Sequence, residues 1–216
     1  MNMIERPRTH KQEIAEETAN LYLANLGLEW DELRGKKVLD IGAMNAEFEH
    51  AARRRGVDVT SLDKEVIDGE YMPPTDSRFV VANATKLPFK NESFDYAVAH
   101  LSVMNYIEKG YRAEEYLRYV EDALRETCRI LKSNGRFHFT DTALGDNELR
   151  RGEDDMVPEK ESDAYDAWRM EREHQILEEV AKRVGFRELK FATYTGSQRA
   201  RAKEEFLLTH YYIAIK

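Results

Sequence analysis

Apolar and polar positions along this chain follow two rhythms that replace each other repeatedly. Ile14, Ala15, Leu21, Leu23 and Leu26 fall on one side of a helix, which Thr9 and Gln12 open in the manner of a capping box and which ends near Gly27. After Gly35 the short apolar run Lys37-Val38-Leu39-Asp40-Ile41 predicts a strand, Gly42 a turn, and the stretch from Asn45 to Arg55 a helix closed by Gly56. Val57 to Leu62, ending at Asp63, predicts a second strand. Phe79 to Ala82 and Tyr96 to Ala99 predict a third and a fourth, all too apolar for a solvated edge.

A long helix from Ala113 to Leu131 then runs into Ser133-Asn134-Gly135, a stop and turn signal, followed by the strand Arg136 to Thr140. A helix from Arg172 to Val184 ends at Gly185, and strands from Leu189 to Tyr194 and from Phe206 to Ile215 close the pattern. Strands alternating with helices predict an α/β fold, Rossmann-like and doubly wound, with a mainly parallel seven-stranded sheet. The last two strands lack an intervening helix, so they predict an antiparallel hairpin at one edge. Ligands in such sheets bind beyond the C-terminal strand ends.

The length, 216 residues, suits one elaborated domain with one sizeable core. The expected organisation is a single domain over 1–216, with an N-terminal helical cap over 1–30 and an insertion or lid over 143–170. No apolar run approaches the roughly 20 residues of a bilayer span, and the charged N-terminus lacks a signal-peptide core, so the expected setting is cytoplasmic. The single cysteine, Cys128, sits on the apolar side of a helix, and no Cys and His cluster has zinc-ligand spacing, so no metal is expected. A net charge of -8 argues against nucleic acid and for a small molecule or a protein as partner.

Val38-Leu39-Asp40-Ile41-Gly42, the acid Asp63, then Ala82-Asn83-Ala84-Thr85-Lys86-Leu87-Pro88-Phe89 with Ser93-Phe94-Asp95, resemble successive motifs of the class I S-adenosylmethionine-dependent methyltransferases. Leu124-Arg125-Glu126 through Ile130-Leu131-Lys132 and Asn134-Gly135-Arg136 resemble that family's helix and turn before its fifth strand, and Leu177 to Phe186 the helix before its sixth. The likeness covers roughly 30–216. It implies S-adenosylmethionine as cofactor, methyl transfer to a small-molecule acceptor (less readily a protein side chain), and a cofactor site drawn from Asp40, Gly42, Ala43, Asp63, Asn83, Ala84 and His100.

Each of these positions also has a physical reason. Gly42 lets the backbone approach a ligand where a Cβ would intrude. The Asp63 carboxylate can accept both ribose hydroxyls of an adenosine, or stand as a solvated strand-end acid. The Asn83 carbonyl can accept from the adenine amine, or cap a turn. His100 can touch the cofactor or take a proton from the acceptor, which makes it the candidate catalytic side chain, or it can be satisfied by backbone at a strand end. Asn105 and Tyr106 lie on the same loop.

The resemblance has two departures. The family loop reads glycine, any residue, glycine, any residue, glycine, whereas here it is Gly42-Ala43-Met44-Asn45-Ala46. Ala46 is a mild change at a position read as one of helix-on-strand packing, while the Met44 side chain must point elsewhere or fill the site. The alternative function is therefore a non-catalytic binding or scaffold protein that has lost the cofactor or turnover; a nicotinamide dehydrogenase fits the loop less well. In the 143–170 segment acidic residues outnumber basic ones, which favours a cationic or amine acceptor or else marks a solvated loop. Tyr165 and Trp168 can close over a substrate or anchor that segment, and Gln198 to Lys203 form a basic stretch between the last two strands.

Overall fold

The computed structural model describes residues 10–44, 46–66, 77–103, 113–140, 163–193 and 210–216. The elements run α1 (His10–Asn25), α2 (Trp30–Leu33), β1 (Lys37–Ile41), α3 (Glu47–Arg54), β2 (Asp58–Asp63), β3 (Phe79–Val81), β4 (Phe94–His100), α4 (Ala113–Ile130), β5 (Leu131–Thr140), α5 (Asp163–Val184), β6 (Glu188–Thr193) and β7 (His210–Ile215). The strands form one seven-stranded sheet in the order β3-β2-β1-β4-β5-β7-β6. β1 to β5 pair in parallel, and β7 lies antiparallel between β5 and β6, which is the expected mainly parallel sheet with its closing hairpin.

Strand parity divides the core between the two faces of the sheet, as burial on both sides requires. Leu39, Ala97, Ala99, Phe137 and Phe139 join Val120 and Leu124 of α4 and Leu177 of α5 on one face. Val38, Val59 and Val98 join Leu23 of α1 and Phe48 and Ala52 of α3 on the other. Asp40, His100, His138 and Thr140 share the parity of Val38 and Val98, so they belong to the face that α1 covers.

Charge and aromatic stacking dock α1 on that face. Glu16 is 5% exposed and receives the guanidinium groups of Arg54, at 2.6 Å, and Arg55. The pairing holds its carboxyl below the usual range against the opposing effect of burial, and because the lowered group is the folded one, this contribution is lost as pH falls through it. Tyr22 and Trp30 both stack on Phe48, with Arg55 lying 4.3 Å over the Trp30 ring.

Three sequence expectations change in detail. The Ser133-Asn134-Gly135 turn lies inside β5, where Asn134 is left-handed and the β4–β5 register shifts between Phe94 and Tyr96, so the turn is absorbed as a bulge. α5 starts at Asp163 rather than Arg172, so the end of the expected lid is helix, and Trp168 packs against the core. β3, expected to be too apolar for a solvated edge, is an edge strand of the sheet with Val81 57% exposed. Phe206 to Thr209 of the expected last strand lie outside the described residues. The Thr9 cap, the rest of the 143–170 segment before α5, Asn105, Tyr106 and the Gln198 to Lys203 stretch lie outside the described residues.

Candidate functional site

A cavity of about 370 Å³ opens at the C-terminal ends of β1, β2 and β4, within the ~300–1,000 Å³ typical of small-molecule sites. Its walls include Ile41, Leu62, Ala82, Ala84 and Val103, and its polar groups include Asp63, Asn83, His100, Ser102 and Tyr119. A larger groove of about 640 Å³ lies between α4 and α5, where Glu121 pairs with Arg125 and Arg183. That groove is walled by helix side chains alone and lies away from the strand ends, where ligands of such sheets bind.

The loop after β1 is built on left-handed residues. Gly42 (φ 80), Met44 (φ 47) and Ala46 (φ 59) all have positive φ, so the three positions of the glycine pattern keep its backbone shape although two carry side chains. Ala46 is thus more than a packing position: it is the left-handed N-cap of α3. The Gly42 and Ala43 N–H groups donate to Leu62 O at 2.7 and 3.0 Å, and the Met44 N–H donates to Asp63 Oδ2 at 2.9 Å. Met44 is 52% exposed and stands at the edge of the cavity rather than plugging it.

Gly42 has a different neighbour from the one its sequence position suggests. A Cβ there would meet the Ser102 Cβ at 2.1 Å, so the missing side chain makes room for the loop after β4 rather than for a ligand. Ser102 in turn donates its hydroxyl to Ile41 O at 2.6 Å and locks the two loops together.

Among the described residues Asp63 takes two backbone donors, Met44 N–H on Oδ2 and Lys64 N–H on Oδ1, one on each carboxylate oxygen. Asn83 takes the turn-capping alternative. Its carbonyl accepts both the N–H and the hydroxyl of Thr85 at 3.0 Å, which fills its lone pairs in a local turn and leaves the amide N–H groups of this exposed side chain as its donors.

Asp40 and Ala43 do not line the cavity. Asp40 is 1% exposed beneath it and accepts the hydroxyl of Tyr22. Burial, with Asp63 and Glu49 nearby, pushes its carboxyl up to about 7 although the Tyr22 bond pulls the other way. Burial and the same carboxylate hold the Tyr22 hydroxyl well above its ordinary range.

His100 lines the cavity with both ring nitrogens engaged. Nδ1 is 2.6 Å from Thr140 Oγ1 and Nε2 is 3.3 Å from Asn25 Nδ2, while Tyr22 packs edge-on against the ring at 5.4 Å. Burial pushes the imidazole down to about 4, so it is neutral at physiological pH. Tyr22 and Asn25 are absent from the sequence reading; their signal was the three-residue spacing on a helix destined for the face that carries Asp40 and His100.

The donor set and walls fit the adenosine part of S-adenosylmethionine: carboxylate lone pairs on Asp63 beyond those taken by its two backbone donors among the described residues, amide donors on Asn83 and an apolar wall of Leu62, Ala82 and Ala84. Comparison with known proteins bears on the family and the fold. Residues 39–139 match the model of a methyltransferase domain. A sarcosine/dimethylglycine N-methyltransferase of Aphanothece halophytica is 29% identical over 122 residues, 52% of this chain and 40% of that protein. An uncharacterised protein of Methanocaldococcus jannaschii is 34% identical over 107 residues, 49% of this chain and 37% of that protein. The chain therefore matches less than half the length of either relative. The crystal structure of an S-adenosylmethionine-dependent methyltransferase from Mesorhizobium loti superposes with a TM-score of 0.57 at 20% identity, covering 95% of this chain and 100% of that one, and shares its fold.

Proposed function

We infer, for a chain whose residues 39–139 form a class I S-adenosylmethionine-dependent methyltransferase domain, that it transfers a methyl group from S-adenosylmethionine to a small-molecule acceptor. The observation that supports this most directly is the left-handed shape of the loop over the cavity: positive φ at residues 42, 44 and 46, with the Met44 N–H tied to Asp63.

In this reading Asp63 accepts the ribose hydroxyls on its remaining lone pairs. Asn83 donates through its amide to the adenine edge, and Ala82, Ala84 and Leu62 give the base its apolar contacts. When bound, the cofactor supplies a methyl group already activated by the sulfonium charge, so the protein contributes mainly orientation and exclusion of water. His100, neutral and on the cavity wall, can take a proton from the acceptor through Nε2 once the acceptor displaces Asn25 from it.

An amine acceptor draws on two observations. The Aphanothece halophytica relative is named for N-methylation, and acidic residues predominate in the 143–170 segment. A non-catalytic reading draws on the non-glycine residues at 44 and 46. Calorimetric titration of ligand-free protein with S-adenosylmethionine and S-adenosylhomocysteine separates the two. Micromolar binding supports the enzyme, and a folded sample that binds neither supports the scaffold.

A further inference from the structure

Thr140 ends β5 directly across from His100, and its side chain is buried on the α1 face. Its hydroxyl oxygen serves two neighbours in succession. Leu101 N–H donates to Oγ1 at 3.2 Å, and His100 Nδ1 lies 2.6 Å from the same atom. Leu101 has φ 51, a left-handed conformation that a bulky side chain adopts only when its surroundings impose it. Both Leu101 and His100 line the cavity.

The proton arrangement follows from the partners. Asn25 presents its amide Nδ2 to His100 Nε2, so Nε2 accepts and the ring proton resides on Nδ1. The Thr140 oxygen then accepts from both Nδ1–H and Leu101 N–H, which fills its two lone pairs. We propose that Thr140 is a positioning residue for methyl transfer: it holds His100 in the Nδ1–H form, leaving the Nε2 lone pair available to the acceptor, and clamps the strained Leu101 backbone on the cavity wall. This rests on the reading of the cavity as the methyl-transfer site.

Nitrogen-15 NMR of the histidine-labelled protein tests the tautomer directly, with the His100 signals identified through His100→Gln. The wild type is expected to show a predominantly Nδ1–H imidazole at neutral pH. Thr140→Ser, which keeps the hydroxyl, is expected to preserve it. Thr140→Val, of the same shape without the hydroxyl, is expected to move the ring toward the Nε2–H form and, by releasing the Leu101 backbone on the cavity wall, to weaken S-adenosylhomocysteine binding roughly tenfold. A wild-type ring in the Nε2–H form overturns the proposal without any variant. So does a Thr140→Val protein with unchanged tautomer and affinity. Should Thr140→Val fail to fold, Asn25→Leu serves in its place: it frees Nε2 while Thr140 still holds Nδ1–H, and loss of the Nδ1–H form there would equally overturn the assignment. A wild type that binds no S-adenosylhomocysteine bears on the proposed function alone, because the tautomer is read without ligand.

Discussion

The Met44 backbone N–H donates to the Asp63 carboxylate at 2.9 Å, which ties the loop after β1 to the end of β2. Asp63→Ala therefore removes a ribose acceptor and a loop anchor together. We expect S-adenosylhomocysteine affinity to fall ten- to hundredfold, about 1.5 to 3 kcal/mol for charge-assisted bonds. Titration calorimetry measures this, and an unchanged affinity would sink the ribose assignment.

Met44 takes the left-handed conformation with its side chain mostly in solvent. Left-handed backbone costs a non-glycine residue about 1–2 kcal/mol, and glycine's extra freedom in the unfolded chain returns about 0.5–1 kcal/mol of that. Met44→Gly should thus raise stability by roughly 0.5–1 kcal/mol in denaturant unfolding, without loss of cofactor affinity. A less stable variant would show that the thioether packs usefully.

For Asp40 the sign is that of a buried acid. Its folded value, pushed up to about 7, exceeds the ordinary 3.8, so the folded protein holds a proton that the unfolded chain releases in between. This contribution is present at low pH and lost as pH rises toward 7. Asp40→Asn keeps an acceptor for Tyr22 and carries no charge. It should be more stable than the wild type at pH 8 by roughly 1–4 kcal/mol, with the gap closing near pH 4. Paired unfolding curves across that range check it, and a gap independent of pH would contradict it.

His100 and His138 give the opposite slope. Burial pushes each down to about 4 from an ordinary 6.5, so the unfolded chain binds protons first and stability falls as pH drops from about 6.5 toward 4. His138 adds a structural tie, donating from Nδ1 to Leu26 O at 3.0 Å and so joining β5 to the end of α1. Because Asp40 opposes this trend in the same window, Asp40→Asn should show a steeper acid loss than the wild type. An equal slope in the two proteins would reject the opposition.

The mainly parallel sheet and the closing hairpin were legible because runs such as Val38 to Ile41 are apolar on both faces and separated by helix-period segments. Strand parity also carried more than it was asked for. Asp40, His100 and Thr140 share one face, and a helix ending at Gly27 had to cover something. What could not be read was the backbone state of Met44 and Ala46, since residue type disfavours a conformation that the fold imposes. For Asn83 the sequence left two readings open, because a turn and a ligand compete for the same carbonyl, and the Thr85 contacts decide for the turn. Boundaries slipped where a turn was absorbed into a strand at Asn134, and where α5 began nine residues early.

β7 lies between β5 and β6, although it is the last of the described strands to be made. The order in space and the order of synthesis therefore disagree at one edge of the sheet. As the chain leaves the ribosome, β1 to β5 and the loops around the cavity can assemble with neighbours already present. β6 has no strand to pair with until residues 210–216 arrive, and the β5 edge stays open for the same interval. An interrupted translation product would thus carry the nucleotide-facing half of the fold together with an exposed strand edge, a species suited to recognition by chaperones and prone to pair with its own copies.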